Sequence, residues 1–280
     1  MLIALVLAAL SGVGIARASA GAIEQNGIFA LLGARPAIVS KLWAEHGSGL
    51  SATLKIRQFR FNGAPVLDYE IDMQRLMHLV VVRDDFATFD HLHPTFDATT
   101  GTFAQVFTKA QNHRYYVYAD TTPRGVGQQV YRFTIESDGA VAGVASLASP
   151  SPTSTAGPYT LSLTRATLAA NRAQNLSLTV FEGGKPARGL RTYLGAAAHA
   201  VFINTATLTY VHVHPTVATA SNAMTGMTMA ATAPVDPFMR LRLPALPTGT
   251  YKLWVQFRGA NDVVYTAPFT ILVRYRATNA

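Results

Sequence analysis

Two stretches of this chain repeat each other in register, and that repeat limits the fold more than any other feature. His78, His91, His93 and Pro94 recur 121 residues later as His199, His212, His214 and Pro215. Both copies read H-x12-H-x-H-P-T, closed by Thr95 and Thr216, and upstream Gly63 and Pro65 match Gly184 and Pro186. A repeat of this length divides 280 residues into two modules of one plan rather than one large domain. Six of the eight histidines belong to the two triads, so any chemistry the repeat carries is imidazole chemistry.

Composition narrows that chemistry. The chain has no cysteine, which removes disulfides, thiolate zinc sites and cupredoxin-type blue copper from consideration. A metal would have to be held by imidazole, thioether or oxygen. The net charge of +8 favours anionic surfaces in general. The basic residues are scattered, without runs or interleaved aromatics, and nucleic-acid binding is not expected. The chain also has no GxSxG, P-loop, HExxH or strand-following GxGxxG pattern, so no enzyme activity is expected.

Residues 1–20 form an apolar run ending in Ala18-Ser19-Ala20, the small-residue pattern of a signal-peptide cleavage site. Export is therefore expected, to a secreted or periplasmic location or the outer side of the cytoplasmic membrane. An uncleaved anchor is the alternative, although the run is short for a span of about 20 residues.

Residues 21–50 have no clear period and read as irregular, with a short helix over 30–43 interrupted at Pro36. From Ser51 onward, short runs rich in Val, Ile, Phe, Tyr and Thr alternate with turn signals, the pattern of β-strands. About seven such runs per module, among them 64–71, 102–108 and 129–136 in the first and 188–193 in the second, predict an all-β fold of two tandem immunoglobulin-like sandwiches. They cover residues 51–137 and 158–276, joined by a Ser/Pro/Ala linker at 138–157. Asn62-Gly63 and Gly183-Gly184 mark equivalent hairpin turns.

Side chains alternate faces along a strand, so His91 and His93 share a face, as do His212 and His214. With Asp84-Asp85 and Thr205-Ala206 as two-residue turns, His78 pairs with His91 and His199 with His212. A four-residue loop shifts the register by two and keeps each triad on one face. Either way the triads sit at the open ends of hairpins, where an edge site can admit an ion. Three imidazoles suit copper, zinc or nickel. The competing reading is a duplicated cluster of hydrogen-bonded histidines that stabilises a structural or adhesion-type protein.

The second module carries an inserted loop after Pro215 with Met224, Met227 and Met229. Thioether sulfur favours Cu(I), so copper is the expected ion and zinc the alternative. No carboxylate near the first triad recurs at the second: Asp84, Asp85, Asp90 and Asp97 become Thr205, Ala206, Val211 and Ala218.

The phrases MHLVVVRDDFATFDHLHPTFD and HAVFINTATLTYVHVHPT, with YYVYAD and YKLWVQF downstream, resemble exported bacterial YtkA-like or CopC-like immunoglobulin-fold modules. That resemblance implies a non-catalytic metal-handling role with ligands His78, His91, His93, His199, His212 and His214. It also implies a partner such as a membrane transporter or another metal-handling protein. Two independent modules would carry one three-histidine site each.

Overall fold

A computed structural model describes residues 23–47, 50–145, 147–217, 229–230 and 233–276. Residues 1–20, Met224 and Met227 lie outside the described residues. Among the described residues every regular element is a strand. The first module contains β1 (Ile23–Asn26), β2 (Ile28–Phe29), β3 (Ile38–His46), β4 (Ser51–Arg60), β5 (Tyr69–Glu70), β6 (Met77–Arg83), β7 (Phe89–Leu92), β8 (Thr95–Asp97), β9 (Thr102–Thr108), β10 (Arg114–Pro123) and β11 (Gln129–Glu136). One sheet runs β1-β3-β4-β9-β8 and the other β2-β11-β10-β6-β7, with β5 added on β10.

The second module repeats the plan with β12 (Thr153–Ala156), β13 (Tyr159–Leu163), β14 (Thr167–Ala169), β15 (Gln174–Glu182), β16 (Lys185–Pro186), β17 (His199–Asn204), β18 (Tyr210–Val213), β19 (Thr216–Val217), β20 (Phe238–Leu243), β21 (Gly249–Arg258) and β22 (Val264–Arg274). Its sheets run β12-β13-β15-β20-β19 and β14-β22-β21-β17-β18. Gly183 and Gly184 both adopt positive φ, as a two-residue hairpin between β15 and β16 requires.

Several expectations need correction. The described residues of the 21–50 segment form strands instead of an irregular or helical stretch: β3 spans Ile38–His46 and pairs along its whole length with β4. The run Ile38-Val39-Ser40-Lys41-Leu42 alternates between core and exterior, which outweighs the helical reading around Pro36. The expected strands over 64–71 and 188–193 shrink to β5 and to isolated bridges at Arg191 and Tyr193. The expected linker contains β12, and its earlier part is tied to the first module by Gly143 N–H donating to Asp84 (2.7 Å).

Burial patterns along the strands explain how the modules meet. In β4, alternate residues Ala52, Leu54 and Ile56 point inward while Thr53, Lys55 and Arg57 face outward, so that sheet has one wet face. In contrast, β6 is buried from Met77 through Val82, and β17 from His199 through Asn204. Their two faces serve different cores. Leu79 and Val81 fill the first sandwich with Leu54, Ile56 and Phe103, and Ala200 and Phe202 fill the second with Leu178, Leu253 and Phe269. The opposite faces meet each other. Val80 and Val82 pack with Val201, Ile203, Tyr118, Tyr210 and Trp254 in a third core between the modules. Full burial of each such side chain contributes about 1.5–3 kcal/mol.

The inter-module core has pseudo-two-fold symmetry. Tyr118 of β10 and Trp254 of β21 are equivalent, since they pair with Val80 and Val201. Trp254 stacks on Phe89 of the first module (4.9 Å between centroids), and Tyr118 stacks on Tyr210 of the second (5.1 Å). Residues 28–32 clamp one end. Ala30 N–H donates to Val130 O (3.0 Å), while Ala30 O accepts from Tyr210 N–H (2.9 Å).

Candidate metal centre

The histidines are placed by strand parity, in the second of the two registers expected. His91 lies opposite Val80 and His212 opposite Val201, so the direct pairings of His78 with His91 and His199 with His212 do not form. The last ladder pairs are Val82–Phe89 and Ile203–Tyr210, a register that corresponds to four-residue loops at 84–87 and 205–208, and in the second hairpin Asn204 N–H also bonds Thr209 O. The two-residue slip preserves parity. All six rings project from the inner sheets toward the inter-module core.

Their surroundings differ from the open edge expected. His78 and His199 are each 1% exposed. The triads also merge. His78 and His212 are 5.2 Å apart between ring centroids, His91 and His199 5.3 Å, His91 and His212 5.5 Å, and His78 and His199 5.8 Å. The arrangement of one independent site per module is therefore replaced by a single cluster on the pseudo-two-fold axis. Ring nitrogens of His78, His91 and His199 lie within 4.8 Å of one another, as do those of His199, His212 and His214.

Hydrogen bonds fix the tautomers of four rings. His78 Nε2 donates to Asp72 O (3.1 Å) and His199 Nε2 to Tyr193 O (3.0 Å). These carbonyls are equivalent. Each begins a tight turn that also bonds Arg75 N–H or Ala196 N–H, and positive φ at Met73 and Gln74, or Leu194 and Gly195, shapes it. His91 Nδ1 donates to Gln256 Oε1 (2.9 Å), while Gln256 Nε2 donates to Thr266 Oγ1 (3.0 Å). His212 Nδ1 donates to the Asp120 carboxylate (3.3 Å), whose other oxygen accepts from Gln128 (2.8 Å).

Asp120 and Gln256 occupy equivalent positions, opposite His78 and His199. Each supports a histidine of the other module.

These bonds leave His78 Nδ1 and His91 Nε2 facing each other at 2.9 Å, and His199 Nδ1 and His212 Nε2 at 3.2 Å. With the outer nitrogens protonated, two lone pairs oppose each other in each neutral pair. A shared proton or a cation relieves that contact. Burial and mutual repulsion disfavour the proton. Desolvation pushes His91, His199 and His212 well below the ordinary histidine range, and brings His93 to about 3 and His214 to about 4. Asp120 is raised to about 7 by burial.

His93 Nε2 and His214 Nε2 are buried and have no hydrogen-bond partner. Facing imidazole lone pairs in a buried site are the donor chemistry of a first-row transition ion. Ligands on one ion with bonds of about 2.0–2.1 Å lie about 2.9–3.4 Å apart, which matches the spacing of the facing pairs.

Met229 packs against the second sandwich core, with its N–H donating to Gly195 O (2.7 Å). Sequence reasoning missed Asp120, Gln256 and the carbonyls of Asp72 and Tyr193. A signal existed for the first two: Ala119-Asp120 aligns with Val255-Gln256, a polar residue at the same place after the apolar or aromatic pairs Tyr118-Ala119 and Trp254-Val255 of the two copies. The carbonyls have no side-chain signature.

No curated protein matches the chain. Comparison with protein families matches two segments, residues 41–139 and 153–275, to the family described as a domain of unknown function, DUF8832. Each segment holds one histidine triad and one supporting residue, and together they span most of the sequence; the chain belongs to the DUF8832 family.

Proposed function

We propose that this is an exported, non-catalytic metal-binding protein that buffers copper or hands it on outside the cytoplasm, with zinc as the alternative ion. The observation that carries the reading is the pair of opposed imidazole contacts, at 2.9 and 3.2 Å, inside a buried six-histidine cluster. Hydrogen bonding alone does not account for them, because the Asp72 and Tyr193 carbonyls hold the protons of His78 and His199 on Nε2, while Gln256 Oε1 and the Asp120 carboxylate hold those of His91 and His212 on Nδ1. Histidine-only donors suit copper and zinc. The apolar N-terminal run ending in Ala18-Ser19-Ala20 supports export, and a transporter or another metal-handling protein is the expected partner. The test is metal analysis of untagged protein followed by copper and zinc titration. Tight binding of either ion, lost when His78 and His199 are replaced by glutamine, is expected.

A structural or adhesion role is the second reading, favoured by the position of the cluster within a packing interface. It predicts a protein that takes up neither ion and has the same unfolding midpoint with and without a chelator.

A further inference from the structure

The six histidines are not equivalent, and the difference defines the coordination set. In four rings one nitrogen is already committed outward: His78 to Asp72 O, His91 to Gln256, His199 to Tyr193 O and His212 to Asp120. Metal-binding histidines are commonly oriented in this way, with the second nitrogen hydrogen-bonded to a carbonyl or carboxylate. Each of the four therefore presents its free nitrogen inward, Nδ1 from His78 and His199 and Nε2 from His91 and His212. His93 and His214 have no such outer bond at Nε2.

The four oriented rings also form a nearly regular figure. Their six centroid separations are 5.0 Å (His78–His91), 5.2 Å (His78–His212), 5.3 Å (His91–His199), 5.4 Å (His199–His212), 5.5 Å (His91–His212) and 5.8 Å (His78–His199). Four imidazoles bound tetrahedrally at about 2.0–2.1 Å would place ring centroids about 5.2 Å apart. The other two rings sit outside this figure. His93 contacts His78 and His91 of its own module (5.3 and 4.8 Å). His214 contacts His199 and His212 of its own (4.7 and 4.5 Å), with its ring nitrogen within 4.8 Å of theirs, but it reaches His78 only at 6.3 Å and so is tied to one module alone.

We propose that one ion sits on the pseudo-two-fold axis, held by His78, His91, His199 and His212, two from each module, with His93 and His214 outside the coordination set. This inference rests on the metal-binding reading above and specifies its site. A tetrahedral set of four nitrogens suits zinc or Cu(I) better than Cu(II), which prefers a tetragonal arrangement. The set leaves no coordination position for substrate, so the ion clasps the modules together. Asp120 is the buried carboxylate facing its positive charge.

Native mass spectrometry of the full chain loaded with zinc, or with copper under reductant, reads the stoichiometry. X-ray absorption reads the donor count. One ion per chain with four nitrogen neighbours is expected. The double variant His93→Gln/His214→Gln should keep one ion with affinity within about 3-fold, whereas His91→Gln or His212→Gln should weaken it at least 10-fold. Two ions per wild-type chain, or loss of the ion in the His93/His214 variant with its circular dichroism unchanged, overturns this assignment and leaves metal binding intact. Wild-type protein that binds neither ion overturns the parent reading instead.

Discussion

The two halves of the histidine cluster are alike in their imidazoles and unlike in their supports. In the first half a neutral amide, Gln256, orients His91; in the second a buried carboxylate, Asp120, orients His212. Each support is borrowed from the opposite module. After duplication, the histidines and the carbonyls behind His78 and His199 kept their symmetry, while the residue opposite each of those histidines diverged. The comparison separates the contacts that recur in both halves from the one that does not. The inward-facing imidazoles occur twice, and the carboxylate support occurs once.

The largest test asks whether the halves are mechanically equivalent. Trp254→Ala removes the stack on Phe89, and Tyr118→Ala removes the stack on Tyr210. Each should lower unfolding free energy by about 3–5 kcal/mol in urea titrations. A loss confined to one variant would show that only one half holds the interface.

Acid should act next most strongly on metal-free protein. Burial lowers the folded-state pKa of His93 to about 3 and of His214 to about 4, against about 6.5 in the unfolded chain. Between those values the unfolded state binds more protons, so stability is full above pH 6.5 and falls on acidification, by up to about 1.4 kcal/mol per pH unit for each such histidine. Asp120, raised to about 7, works in the opposite sense, because its contribution to stability is lost as pH rises through that value. Several histidines outweigh one aspartate. The urea midpoint should therefore fall from pH 7 to pH 5, and a flat or rising profile would mean the rings are not held neutral.

Exchanging the supports sharpens the contrast. Asp120→Asn keeps an acceptor for His212 but removes the charge, and should weaken metal binding about 10-fold or more in competition with a chelator. Gln256→Glu adds the missing charge to the other half and should not weaken it. Equal effects of the two variants would show that the asymmetry has no consequence for the ion.

The smallest effect is expected from replacing Met224, Met227 and Met229 together with leucine. Met229 fills space at the second core, and a volume-conserving change should cost less than about 1.5 kcal/mol. If thioethers assist copper, Cu(I) binding weakens several-fold and zinc binding does not change. An identical response of the two ions removes the methionines from the site.

Much of the fold was legible from period and turn chemistry. The runs 102–108 and 129–136 coincide with β9 and β11, and Gly183-Gly184 turns where two glycines in sequence predict a turn. Hairpin register was less legible, because Phe86 and Leu208 take positive φ inside four-residue loops, an unfavourable conformation that bulky residues rarely advertise. The meeting of the triads was the main omission, and its sign lay in two short segments. Leu79-Val80-Val81-Val82 and Ala200-Val201-Phe202-Ile203 are apolar without alternation. A strand with one wet face alternates, and one covered on both faces does not. Read that way, each triad stands on a strand that needs a second covering layer, and the repeat provides it.

The clamp at residues 28–32 has a consequence in time. Ala30 joins Val130 of the first module and Tyr210 of the second, so a segment made 180 residues earlier than Tyr210 cannot complete its bonds until residue 210 has emerged. Contacts so distant along the chain are slow to form. The first module, otherwise complete, must meanwhile carry Val80, Val82 and Tyr118 uncovered, an apolar face of the kind that promotes misassembly. The interval between finishing one half and closing over the other is thus the period in which the growing chain is most exposed to aggregation, and it ends when Tyr210 N–H reaches the Ala30 carbonyl that has waited for it.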